Sequence, residues 1–335
     1  MHTGKSYKLP EFLLWTRRSI YVLLLLSVVP VVLYEVVGLT WLAIPWGVVF
    51  LLGATVALSA GFKNVQTYNR TQDAQLVWSQ IASSSRIWGA MCRDLVADPV
   101  HARELINRHL AWLTALRHQM REVKPWENAD KPYNAEYKRL YTVPERERSL
   151  ESELSRYVAC EEVAPILNSR SKALQVLGLQ SKATKTMLAD GLLTMSAFSD
   201  LQKMIRDFQD QQGRSERIKN FPYPRQHAFI NTLFVRILCV LLPIGMIGEF
   251  ERLNDVVDGW AKGHMVWFVI PLSLLICWMY TSLDQVGEST ENPFEGGAND
   301  VPISQICEDV ESDLREMLGE PPVSRAPKLE GDIVM

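Results

Sequence analysis

SIYVLLLLSVVPVVLYEVVGLTWLAIPWGVVFLLGATVALSAGF, residues 19–62, has Glu35 as its only Asp, Glu, Lys or Arg, in a chain of 335 residues that is 22% charged overall. A hydrocarbon core of about 30 Å is crossed by about 20 helical residues, so this run holds two spans. Gly38-Leu39-Thr40 marks the break and predicts a tight hairpin of helices over 20–38 and 41–62. The run lacks a short apolar region followed by a small-residue cleavage site and leads directly into a second span, so it reads as an anchor rather than a signal peptide.

Two further apolar stretches lie near the C-terminal end. Residues 228–248 contain only Arg236, and residues 265–283 contain no charge. Backbone groups in lipid must be satisfied within their own segment, so four spans of this length are helices. The 35 Lys+Arg against 38 Asp+Glu are therefore concentrated elsewhere, in a water-facing part. This partition excludes a purely cytosolic enzyme, and the regular apolar positions of the polar part exclude intrinsic disorder. The near-neutral balance gives no case for nucleic acid as a partner.

Working outward, residues 1–19 form an N-terminal segment, 20–62 the first transmembrane hairpin, and 63–227 a large helical domain. Residues 228–283 hold spans three and four, 284–318 a turn and helix, and 319–335 a flexible tail. Lys5, Lys8, Arg17, Arg18, Lys63, Arg70, Lys219 and Arg225 flank the spans on one side, whereas the linker between spans three and four has Arg252 and Lys262 amid Glu249, Glu251, Asp255 and Asp258. The positive-inside rule thus places both termini and the helical domain in the cytoplasm. Within that domain Val77, Ile81, Trp88, Cys92 and Leu95 recur at helical spacing, as do Ile106, Leu110, Leu113 and Met120. Pro99 fits a first helical residue. Helices are expected over 150–189 and 194–217, divided at Asp190-Gly191, while the Pro-rich, charged stretch 123–147 reads as an exposed insertion. Ile306, Val310, Leu314 and Met317 form one stripe of a last helix after Pro302.

Span two carries the most information. Gly53, Ala57 and Gly61 recur every four residues and give one face the small-residue groove that lets helices approach closely in lipid. Ala54, Leu58 and Phe62 follow one position later, about 100° round, as an uncharged stripe. Taken alone, the stripe suits lipid or packing contact; repeated about an axis, it suits a constriction that controls ions by dewetting.

Phe62-Lys63-Asn64, Tyr68-Asn69-Arg70, Asp73-Ala74 and Trp78 resemble the bestrophin pattern F-R-N-x-x-x-Y-D-R-W-W-E-A-R-x-x-W, with matching spacing. Glu291-Asn292-Pro293-Phe294 followed by Asn299-Asp300-Val301-Pro302-Ile303 resembles the turn and helix start that follow the last span in that family. Trp15-Thr16-Arg17-Arg18, Pro222-Tyr223-Pro224 and Leu241-Leu242-Pro243 are similar to bacterial members, so the likeness runs from residue 15 to about 318. It implies an all-α membrane protein of the bacterial inner membrane, assembled as a homopentamer around a central pore that passes small inorganic ions. It also implies a neck at Ala54, Leu58 and Phe62 and a second constriction near Gly191, for which Leu192 and Leu193 are the candidates. The family includes anion and cation conductors; chloride is its default, and the acidic outer linker keeps sodium open. Animal members hold calcium at the turn after the last span. Here Gly296-Gly297-Ala298 replaces the acidic cluster, which leaves only Asn292 and Asp300 as calcium candidates, and Asp300 is expected to cap the helix starting near Pro302. No cofactor is expected.

The remaining residues point to little chemistry. His101, His109 and His118 are eight and nine apart, the wrong spacing for shared metal coordination on one helix, and five scattered cysteines form no C-x-x-C pair. No nucleophile elbow, phosphate loop or dinucleotide fingerprint stands in a suitable setting, so an enzyme is not expected. Arg236 within span three and Glu35 at the outer end of span one each admit two readings, a functional intramembrane charge or a side chain reaching the headgroups. A membrane-anchored scaffold or sensor is the alternative to a channel.

Overall fold

The computed structural model describes the chain except residues 2, 5–7, 129, 130, 132, 135–140, 260 and 321–332. Among the described residues the architecture is helical, with four helices long and apolar enough to cross a membrane. Helix α1 spans Leu9–Glu35 and α2 spans Trp46–Leu95. The hairpin turn runs from Val36 to Pro45 and includes Gly38 at φ +80°, where a side chain would be strained, and a 3-10 turn at Thr40–Leu42. The second span therefore starts at Trp46 and not at 41. More consequentially, α2 continues without interruption for 50 residues, so the membrane hairpin and the helical domain share one rigid rod. A change of composition at residue 63 records a change of surroundings, not a change of backbone.

Beyond α2 come α3 (Pro99–Arg121), α4 (Pro144–Glu147), α5 (Leu150–Leu154), α6 (Cys160–Leu167), α7 (Lys172–Ala189) and α8 (Met195–Asn220). Asp98 caps α3 by accepting from the Val100 amide, and Pro99 occupies the first turn. The segment 150–189, expected as one helix, is three. Ser155 Oγ donates back to the Glu151 carbonyl and Ser169 Oγ to the Ile166 carbonyl, so hydroxyls satisfy helix ends where the chain turns. Helices α9 (Arg225–Leu253) and α10 (Val269–Ser289) return through the membrane layer, and α11 (Ile303–Met317) packs on α2 and α3.

Two cores result. In the membrane layer α1, α2, α9 and α10 pack around Val31, Val56, Leu238, Ile247 and Cys277. In the helical domain Trp78, Trp88, Trp112, Phe208, Leu105 and Ile106 are fully buried. His109 sits inside the second core, its ring 4.6 Å from Phe208 and 5.2 Å from Trp112, with Nε2 2.9 Å from Ser85 Oγ. Burial pushes its pKa from the usual 6.5 down to about 3. Between those values the unfolded chain binds a proton that the folded one refuses, so stability falls as pH drops from 6.5, by up to about 1.4 kcal/mol per pH unit. Replacing His109 by Phe is expected to flatten the acid side of the melting-temperature profile between pH 6.5 and 5. A profile parallel to that of the parent would show that His109 does not set it.

Residues 129, 130, 132 and 135–140 of the stretch 123–147 lie outside the described residues, and the described ones are not all exposed as expected of an insertion. Asn128, Tyr141, Val143 and Glu145 are buried, because the charges here are partnered: Glu145 Oε1 lies 3.2 Å from Arg117 Nε and accepts from Ser304 Oγ at 2.6 Å. Nor is the C-terminal end wholly a free tail. Residues 321–332 lie outside the described residues, but Ile333 and Met335 pack on Tyr141 and Val143, and the Gln305 amide donates to the Met335 carbonyl at 2.7 Å.

Candidate functional site

The two faces of α2 differ in what covers them. Val49, Val56, Ala60, Lys63 and Thr67 face inward against the neighbouring helices of the same chain, a stripe set by the seven-residue recurrence 49, 56, 63. The opposite face is bare. Leu58 and Phe62 are each 64% exposed, and Ala54, Ala57 and Gly61 are exposed beside them. Gly53 alone of the small-residue triplet is engaged within the chain, where its carbonyl accepts from Tyr280 Oη at 3.2 Å. Ala57 and Gly61 thus remain open to a second molecule, and so does the Ala54, Leu58, Phe62 stripe.

Directly behind Phe62, the inward stripe places a cation in the protein interior. Lys63 is 2% exposed, and its Nζ donates to Asp284 Oδ1 at 2.6 Å. The same carboxylate accepts from Asn231 Nδ2 at 2.7 Å and from Thr232 Oγ1 at 3.0 Å. One carboxylate from α10 therefore ties together α2 and α9. Neither Asp284 nor Asn231 was identified from the sequence; the available signal was that Asp284 is the first acid after an uncharged span. Gly287, one turn further along α10, lies so close to α2 that an added Cβ would fall 2.5 Å from Asn64 Oδ1. Arg70 Nε donates to the Glu291 carbonyl at 3.1 Å, and its Nη2 reaches the Ile218 carbonyl at 2.9 Å. Tyr68 is exposed, with its hydroxyl accepting from Gln72 Nε2 at 2.7 Å, and Trp78 is fully buried with its ring 6.3 Å from that of Phe294. The residues around the motif from Phe62 to Trp78 and the turn after α10 thus meet in space, although more than 200 positions separate them.

That turn, residues 290–302, is held from within. Asp300 does not cap the last helix. The first turn of α11 follows Pro302 with no side-chain cap, and Asp300 Oδ2 instead accepts from the Gly296 amide at 2.6 Å and from Arg121 Nη1 at 3.1 Å. The Pro293 carbonyl accepts from the Val301 amide, Asn292 Nδ2 reaches Glu295 Oε2, and Asn299 is half-buried at the rim. Burial beside Asp300 raises the Glu295 carboxyl to about 8. These groups do not fit calcium. A hard cation needs six to eight oxygens, whereas the Asp300 carboxylate is directed at an amide and a guanidinium, and the Asn292 side chain is turned to Glu295.

At the second predicted constriction Leu193 is 6% exposed and belongs to the core of the helical domain, and Leu192 is half-buried against it. Leu193 is therefore a packing residue. Thr194 caps α8 through the Ala197 amide, and this cap leaves Met195, 68% exposed, as the bare apolar side chain at that turn.

Four apolar helices, one of them extending as a rod into a helical domain and presenting an uncovered apolar stripe, define a polytopic all-α membrane protein. Residues 14–316 match the family described as Bacterial/Fungal Bestrophin protein, and the chain belongs to that family. It is 24% identical over 284 residues to the voltage-dependent anion channel-forming protein YneE of Escherichia coli K12, covering 85% of this chain and 79% of that one. It is also 25% identical over 278 residues to the voltage-dependent anion channel-forming protein mll4386 of Mesorhizobium japonicum, covering 83% of this chain and 76% of the other. A crystal structure of a bacterial bestrophin homolog from Klebsiella pneumoniae superposes with a TM-score of 0.74 at 21% identity, over 91% of this chain and 99% of that one. Membership sets the chain among channel proteins and not among enzymes.

Proposed function

We propose that five copies of the chain assemble around an axis lined by α2 and form a channel for small monovalent anions, chloride first. The observation that carries this reading is the bare Ala54, Leu58, Phe62 stripe on a helix whose other side is filled by its own chain. An apolar stripe with small residues at its edge suits a ring of like helices, Ala57 and Gly61 admitting the neighbour and Leu58 and Phe62 turning to the axis. A ring without charge discriminates through the cost of dehydration, and the relatives named as anion channel-forming favour the anion. Met195, in place of Leu193, is the candidate for a second apolar ring in the helical domain. The distribution of Lys and Arg favours a bacterial inner membrane with the helical domain and both termini on the cytoplasmic side. No step in this reading uses calcium.

Purified protein in planar bilayers tests it. In a sodium chloride gradient the reversal potential is expected to follow the chloride equilibrium potential. A reversal potential at the sodium value would make the pore a cation channel, and absence of current from correctly assembled protein would reject conduction altogether.

A further inference from the structure

A polar cleft of about 290 Å³ opens in the helical domain between α3, α4, α5 and the start of α7. Two nearly fully buried side chains on its wall are only partly satisfied. Arg121 Nη1 donates to Asp300 Oδ2 and Nη2 to the Val301 carbonyl, but the buried Nε finds no acceptor among the described residues. Glu145 Oε1 accepts from Ser304 Oγ and lies 3.2 Å from Arg117 Nε, while Oε2 finds no donor among them. The two orphaned atoms are 3.7 Å apart, beyond hydrogen-bond reach of each other. One oxygen about 2.8 Å from each, accepting from Arg121 and donating to Glu145, would satisfy both. An O–H group can do so, whereas a carboxylate cannot donate and an ammonium cannot accept. Buried polar atoms are seldom left without partners, so the pair marks a place for such a group.

The mouth of the cleft is basic. Arg170 and Lys172 line it, and neither side chain has an ion-pair or hydrogen-bond partner among the described residues. Glu122, also on the lining, is paired with Lys124. Lys172 opens α7, an 18-residue helix with no acid in its first turn and no side-chain cap, because Ser171 Oγ is turned to Gln212 Nε2. The positive end of that helix therefore adds to the two side chains in attracting an anion.

We infer that this cleft binds a small hydroxycarboxylate, with its hydroxyl between Arg121 Nε and Glu145 Oε2 and its carboxylates toward Arg170, Lys172 and the start of α7. The cleft is built away from the Ala54, Leu58, Phe62 stripe, so binding there stands whether or not the assembly conducts. Isothermal titration calorimetry of the full-length protein in detergent tests it. The probes are L-malate and succinate, dianions at neutral pH that differ by one hydroxyl, and inorganic phosphate. Malate is expected to bind about tenfold or more tightly than succinate, since a site that hydrogen-bonds a hydroxyl discriminates against an analogue without it. Arg170→Gln combined with Lys172→Gln removes two cations that have no partner to lose, and should weaken malate by about tenfold or more. Lys185→Gln, exposed about 20 Å further along α7, should leave malate binding unchanged. Equal binding of malate and succinate would show that water alone fills the gap between Arg121 and Glu145, and would overturn the inference. Undiminished malate binding in the double variant would place malate elsewhere, the pore included, and overturn it as well. Phosphate binding as tightly as malate would reduce the cleft to a simple anion site, and absence of any malate binding would reject the site outright.

Discussion

Asp284→Ala is expected to cost about 3–5 kcal/mol of folding stability, the scale for breaking a buried ion pair by removing one partner. The reason is the ammonium left behind. Lys63 is 2% exposed, and among the described residues its Nζ approaches only Asp284, the Oδ1 at 2.6 Å and the carbonyl at 3.5 Å. Asn231 Nδ2 and Thr232 Oγ1 lose their acceptor in the same substitution. Replacing both charged partners, Lys63 by Met and Asp284 by Leu, removes the stranded charge and should recover most of the loss, since well-packed apolar pairs often match a buried salt bridge. Chemical denaturation of the detergent-solubilised protein, arranged as a double-mutant cycle, measures the coupling directly. A loss below about 1 kcal/mol in Asp284→Ala would show that water reaches Lys63 and that the pair does not hold the three helices together. Because Lys63 follows Phe62 on α2, the same cycle measures how firmly the stripe at the start of the motif is held in place.

The case of Lys63 shows what could be read from the sequence. The four spans were visible because a charge in lipid is costly, so its absence over about 20 residues leaves a plain record. The helical stripes of the domain were equally visible, and Ile106, Leu110, Leu113 and Met120 are all buried as their spacing required. Contacts between distant positions left no such record. A lysine after Phe62 reads as a charge that anchors the span at the membrane surface; its burial depends on Asp284, 221 positions away. Leu192 and Leu193 are adjacent in the turn between α7 and α8, and only the packing of that turn on the core decides which one turns inward. The turn after α10 reads as depleted of acid at Gly296-Gly297-Ala298, but Glu295 and Asp300 are buried beside it with Arg121 reaching in from α3. Composition could not supply that guanidinium. The stripe on span two was legible as a face of a helix. That none of the described residues covers it was not, because this depends on how α1, α9 and α10 are arranged.

Leu58→Ala is expected to raise ion flux by about tenfold or more, with Phe62→Ala acting in the same direction. A dewetted constriction resists ions because opening space for water among apolar side chains costs free energy, and five copies of each side chain would contribute to one ring. Each buried methylene is worth about 0.8 kcal/mol, whereas about 1.4 kcal/mol off a barrier already multiplies a rate by ten. Trimming one ring therefore exceeds a tenfold change even if most of the gain is lost to residual narrowing at its neighbour. Phe229, 67% exposed on α9, is the appropriate control, since its replacement by Ala alters an apolar surface without touching α2. Chloride efflux from liposomes, with size-exclusion profiles to confirm equal assembly, separates pore widening from loss of the oligomer. If both α2 variants and the Phe229 control give the parental flux, Leu58 and Phe62 face lipid and the conduction path lies elsewhere. If the α2 variants alone rise, the exposed face of α2 is the wall of the pore, and Ala57 and Gly61 are left as the surface on which the next subunit packs. On that outcome Gly61→Leu should prevent assembly, because it places a branched side chain where two backbones must come together.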